Sequence, residues 1–164
     1  MIKPRGILGL GALAALALAA PCAEATDFTW PVSGRVTQGY WTRVNYIAGG
    51  YHRGIDIAGP YWSPVGAARA GSVWRGWGGG YGNLVIVYHE AGYRTYYGHN
   101  IRFGQGGRVG RGATISYRGS TGYSTGPHVH FEVRRYGALL FVPGYPGWYV
   151  GKGRAVPWNF PYIS

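Results

Sequence analysis

The chain has 164 residues, 31 of them glycine and one cysteine, and its 16 Lys and Arg against 5 Asp and Glu give a formal charge of +11. Glycine lies far above its usual share of roughly 7%, and beyond residue 25 no stretch free of both Gly and Pro exceeds nine residues. That excludes a domain of long helices, and the lone cysteine excludes a disulfide-held fold.

Residues 1–25 read as a signal peptide. Lys3 and Arg5 form a positive start, residues 7–20 are apolar but too few to span a bilayer, and Ala23-Glu24-Ala25 fits a small-x-small cleavage site. Cys22 offers a lipid-anchored alternative, against which stand Pro21 and the neighbouring cleavage site. Residues 26–164 are then one domain without cysteine, one charge unit less basic than the whole chain, held by packing, hydrogen bonds or a metal.

Along that domain, Pro31 and Gly34 mark a turn ahead of a short strand ending near Thr37. Residues 38–51 form a loop rich in rings. Ile55 to Ala58 is a strand beginning just after His52, and residues 65–74 hold another strand around Gly71 to Trp74, followed by a glycine-rich loop over 76–82. Residues 83–89 and 93–99 alternate in polarity and are joined by Glu90-Ala91-Gly92, which spells a hairpin. Tyr93, Thr95, Tyr97 and His99 are expected on one face of its second strand, and His89 at an exposed strand end. A turn region over 104–112, a short strand over 113–117 and a loop over 118–127 follow. From Tyr136 onward, Pro143, Pro146, Pro157 and Pro161 predict coil with short edge strands.

The loop over 118–127 delivers the most informative stretch, Gly126-Pro127-His128-Val129-His130-Phe131-Glu132. Val129, Phe131 and Val133 alternate with His128, His130 and Glu132, so a strand here buries the first set and puts both imidazoles on the other face. Four of the five histidines, with Asp56, can make a hydrolytic metal site. Such a zinc wants three nitrogen or oxygen ligands and one open position. His52 and Asp56 with one histidine of the His-x-His pair meet that need, and spacing alone does not say which one. The remaining histidine and His99 would handle protons and a developing oxyanion. Glu132 is either a partner that orients an imidazole or an exposed acid.

The series His52-x-x-x-Asp56, Gly82-Asn83, His89, Tyr97-Gly98-His99 and Gly119-Ser120-Thr121-Gly122-Tyr123-Ser124-Thr125-Gly126-Pro127-His128-Val129-His130-Phe131-Glu132 resembles the lysostaphin-type (LytM-like) zinc endopeptidases of bacterial cell walls. The resemblance runs over about residues 30–143, most of the chain beyond the signal peptide. It implies an all-β fold of antiparallel sheets forming a groove with a single zinc, with many glycine-rich loops. It also implies His52, Asp56 and His130 as metal ligands, His99 and His128 as catalytic histidines, and Tyr46, in competition with Tyr40 and Tyr51, as a residue that stabilises the transition state. The implied activity is hydrolysis of peptide stems or cross-links of peptidoglycan by a monomer in the periplasm or cell wall. The basic surface would meet peptidoglycan and anionic wall polymers, with no nucleic acid partner and no membrane insertion after signal cleavage. The alternative is a non-catalytic wall-binding or amidase-activating domain of the same fold. Gly98 and Asn100 depart from the family pattern of a bulkier residue and a leucine, which predicts a looser strand end around His99. No inhibitory or wall-binding module is expected within this length.

Overall fold

The computed structural model describes residues 28–45 and 49–157. The expected signal peptide, Cys22 and Tyr46 lie outside the described residues. The fold is all-β, and every strand pairing is antiparallel. In chain order the strands are β1 (Gly34–Gln38), β2 (Ile55–Ala58), β3 (Pro64–Gly66), β4 (Gly71–Trp77), β5 (Asn83–Tyr88) and β6 (Tyr93–Phe103). They continue as β7 (Gly107–Val109), β8 (Thr114–Arg118), β9 (His128–Arg135), β10 (Ala138–Leu140) and β11 (Tyr149–Val150). The main path runs β11-β1-β2-β9-β6-β5-β4-β7; β10 pairs with β9, and β3 joins through β8 to β6.

The expected alternation in β9 is present. Val129, Phe131 and Val133 are fully buried, and Ile55 and Ile57 of β2 meet them from the neighbouring strand. Phe131 also packs on Trp30 and Tyr97, with ring centroids 6.5 and 5.5 Å away. Burying side chains of this size stabilises the fold by about 1.5–3 kcal/mol each, so the core fixes which face of β9 turns outward.

Several boundaries differ from the sequence expectation because pairing, rather than glycine content, decides where a strand stops. Residues 65–74 split into β3 and β4, and β4 runs on to Trp77 because it ladders with β5 through Asn83. The 104–112 region contains β7, which pairs with the start of β4. The short strands β10 and β11 in the proline-rich tail are as expected.

The largest difference is at β6. Its first part pairs with β5 and β9 and its last part with β8. Val85 opposes Tyr97 while Asn83 opposes Asn100, so β6 carries one extra residue between these pairs. This is a bulge, and His99 within it has φ +63°. The bulge breaks the alternation: Tyr93, Thr95 and Tyr97 share a face, which is the core face, whereas His99, expected with them, is turned out of their row. Nor is this end loose. The Asn100 amide donates to the carbonyls of Asn83 (2.9 Å) and Tyr97 (2.6 Å), and the Asn83 amide donates to the Asn100 carbonyl (3.0 Å).

His89 is likewise not an exposed strand end. It is half-buried, and its ring stands edge-on to Phe28 at 5.3 Å. Its Nδ1–H donates to the Ala70 carbonyl at 2.8 Å, which leaves Nε2 to accept from the Thr95 hydroxyl at 2.8 Å. Thr95 in turn accepts from the Tyr97 hydroxyl, which accepts from the Ala68 N–H, both at 2.8 Å. Burial, reinforced by Arg69 and opposed by the Ala70 carbonyl, lowers the His89 pKa to about 4. The unfolded chain binds this proton below its ordinary value of about 6.5, so the contribution is complete above that pH and is lost as pH falls toward 4. Urea unfolding at pH 7, 5.5 and 4.5 should therefore show a steeper loss of stability in the wild type than in His89→Gln. Parallel pH dependences would count against this chain of hydrogen bonds.

Candidate active site

Antiparallel pairing of β2 with β9 sets Asp56 directly opposite His130, and on the other side of β9 Gly98 of β6 stands opposite His130. His52, three residues ahead of β2, reaches the same place. Its Nδ1–H donates to the Gly39 carbonyl at 2.9 Å, so Nε2 carries the lone pair that faces the cluster. That Nε2 lies 3.1 Å from Asp56 Oδ1 and 3.0 Å from His130 Nδ1, which is itself 2.9 Å from Asp56 Oδ1.

Two imidazole nitrogens and a carboxylate oxygen thus form a triangle close to the roughly 3.3 Å edge of a tetrahedron with metal–ligand distances of about 2.0–2.1 Å. These three residues can hold a metal ion. The donor set suits zinc, and one tetrahedral position would stay open. Burial alone would raise the Asp56 pKa, but the close contacts with the His130 and His52 imidazoles hold it well below the usual carboxylate range. Burial opposes charge on His130, yet its contacts with Asp56 and Glu132 raise its pKa to about 9. A cluster that attracts a proton this strongly has the charge pattern of a cation site.

Glu132 resolves its two readings: it is fully buried, and it orients His130. Its Oε1 accepts from His130 Nε2 at 3.0 Å and from the Tyr81 hydroxyl at 2.5 Å, while Oε2 accepts from Arg134 Nε at 2.8 Å. The proton on His130 Nε2 is thereby fixed, and Nδ1 is left to face Asp56. Tyr81 comes from the short 3-10 turn Gly79–Tyr81 in the glycine-rich loop. Any Cβ on Gly98 would stand 3.2 Å from the Tyr81 ring and 3.3 Å from His130 Cβ, so the absence of a side chain there admits both rings.

His99 and His128 stand beside the cluster with ring centroids 4.5 Å apart. Both Nδ1–H groups donate to backbone carbonyls at 2.8 Å, those of Thr121 and Gly126, and neither Nε2 makes a hydrogen bond among the described residues. His128 Nε2 is 3.7 Å from Asp56 Oδ1. Burial and the charge of His128 lower the His99 pKa to about 4, so His99 is a neutral acceptor near pH 7. The loop that supplies Thr121 is clamped by a close backbone approach of Gly122 (φ +71°) to Gly82 (φ +63°), and by Thr121 Oγ1, which accepts from Asn83 N–H and donates to the Asn100 carbonyl. The five side chains line a groove of about 550 Å³.

The structure brings His52, Asp56, His99, His128 and His130 together in one groove, while Tyr46 lies outside the described residues. Sequence reading missed Tyr81, which no local signal singles out among its glycines, and the Asn83–Asn100 pair, whose partners are 17 residues apart. Glu132→Gln should keep the fold but weaken zinc binding about 10- to 100-fold in a chelator competition, because an amide orients the His130 ring less strongly. Unchanged zinc affinity would show that Glu132 does not position His130.

Residues 50–141 match the description Peptidase family M23. DD-carboxypeptidase/endopeptidase Mpg of Neisseria meningitidis is 47% identical over 85 residues, 51% of this chain and 20% of that protein. The chain thus spans only a fifth of the length of that curated relative. The catalytic domain of lysostaphin from Staphylococcus simulans superposes with a TM-score of 0.61 at 31% identity, over 66% of this chain and 88% of that domain. A zinc-containing peptidase from Vibrio cholerae gives 0.63 at 31% identity, over 70% and 39%. With its antiparallel sheet, its His52–Asp56–His130 cluster and these similarities, the chain belongs to peptidase family M23, among the lysostaphin- and LytM-like peptidases.

Proposed function

We propose that the chain is an exported zinc endopeptidase that hydrolyses peptide bonds in the stems or cross-links of bacterial peptidoglycan. The observation that carries this reading is the pair of Nε2 atoms on His99 and His128 that make no hydrogen bond among the described residues, both rings anchored through Nδ1 beside a three-donor cluster. A domain that only binds wall or activates another enzyme has no use for two imidazoles held in this way. The apolar leader and the basic surface support a place outside the cytoplasm facing wall polymers.

His52 Nε2, Asp56 Oδ1 and His130 Nδ1 would hold the zinc. When bound, it supplies a Lewis acid that polarises the scissile carbonyl and makes water a nucleophile near neutral pH. His99, kept neutral by burial, accepts the proton of the attacking water at Nε2 and passes it to the departing amine. His128, at the mouth of the cluster, would meet the developing oxyanion through Nε2. Fixing each Nδ1 on a backbone carbonyl keeps both rings pointed at the reacting atoms.

Wild-type protein should release new amino groups from purified sacculi, lose that activity on chelation and regain it with zinc. His128→Ala should bind one zinc per chain and yet hydrolyse sacculi about 100- to 10,000-fold more slowly. Wild-type rates from a folded, zinc-loaded His128→Ala protein would overturn the mechanism. Wild-type protein that binds walls without cutting them or holding zinc would favour the binding-domain reading.

A further inference from the structure

The sheet face that carries His130 continues past the site. Cross-strand rows show it: Glu132 of β9 opposes Tyr96 of β6, which opposes Ile86 of β5, which opposes Trp74 of β4. One row further, Arg134 opposes Arg94, which opposes Tyr88. Because side chains on a strand alternate, these rows share the face of His130, and Arg134 lies about 13 Å along β9 from it at roughly 3.3 Å per residue.

This face is built from cations laid on rings. The Arg134 guanidinium sits 4.3 Å from the Tyr96 ring centroid and that of Arg94 4.9 Å from Tyr88, while Trp74 and Tyr88 are 44% and 41% exposed. Like charges directly opposite one another across a strand pair are unfavourable, yet Arg94 and Arg134 are such a pair. Arg134 has Glu132 as partner, whereas Arg94, which is exposed, meets no carboxylate among the described residues. Bare fork-shaped donors fixed on aromatic rings suit a carboxylate, and exposed rings suit the apolar faces of sugars or side chains.

We propose that Arg94, Arg134, Tyr88, Tyr96 and Trp74 form a substrate platform that binds the carboxylate-bearing peptide stem flanking the scissile bond, with Arg94 as its principal anion contact. This rests on the reading that the substrate is peptidoglycan. The net charge of +11 favours an anionic occupant, and the shared face delivers it in line with the groove. Between the platform and the His99–His128 pair Tyr81 covers Glu132, its hydroxyl bonded to Glu132 and Arg134, so a bound stem would pass over that ring to reach the site.

The test is cosedimentation with purified sacculi, using His128→Ala protein so that the walls stay intact. Arg94→Glu should weaken binding about tenfold. Arg75→Glu, the same charge change on the opposite face of β4, should alter it less than about twofold. Converting wall carboxylates to amides should weaken binding of protein that retains Arg94 and leave the Arg94→Glu variant little changed. Equal effects of the two charge reversals, no effect of Arg94→Glu, or binding lost only when phosphate polymers are stripped would each overturn the platform. Failure of the hydrolytic reading would be seen separately, as sacculi that release no amino groups with wild-type protein.

Discussion

The register between β2 and β9 is the constraint on which the site depends. Ile55 faces Phe131 and Ile57 faces Val129, all fully buried, and the residues between them, Asp56 and His130, are forced together on the other side. Slipping the pair by one residue would push Phe131 into the groove and the imidazoles into the core. The hydrophobic effect, which has no interest in chemistry, thus sets how close Asp56 and His130 come. A site built this way needs neither a helix nor a disulfide.

The bulge in β6 is the second device, and it has the opposite character. A non-glycine residue in the left-handed region is held at a conformational cost of about 1–3 kcal/mol where its surroundings over-determine it. Here the Asn83–Asn100 amide exchange, the Thr121 hydroxyl and the Thr121 carbonyl on His99 Nδ1 do so. The result is that His99, which regular pleating would turn into the core, stands 4.5 Å from His128, ring to ring. Core packing positions the His52–Asp56–His130 side of the groove, and polar pairing positions its His99 side.

What could be read from the sequence follows the same division. The faces of β9 and the short spacing from His52 to Asp56 are local patterns of period two, and they survived folding unchanged. The choice of His130 over His128 as the inner histidine was not local: it depends on Asp56 and Gly98 lying opposite His130 across two strands, and the family resemblance supplied it. Alternation alone places His99 in the row of Tyr93, Thr95 and Tyr97, because a bulge leaves no mark in a strand's pattern. The sequence around His89 gives no sign of its burial, because its partners, Ala70 and Thr95, lie on other segments. The Gly98 and Asn100 departures looked like weakness and are fittings: one makes room for Tyr81, the other closes the bulge.

The division of labour between the two histidines of β9 is the central claim, and anomalous diffraction at the zinc edge from zinc-loaded crystals tests it most directly. A single peak bonded to His52 Nε2, Asp56 Oδ1 and His130 Nδ1, with His128 and His99 Nε2 outside bonding distance, is the predicted result. A peak ligated by His128 in place of His130, or zinc held elsewhere on the chain, would contradict it.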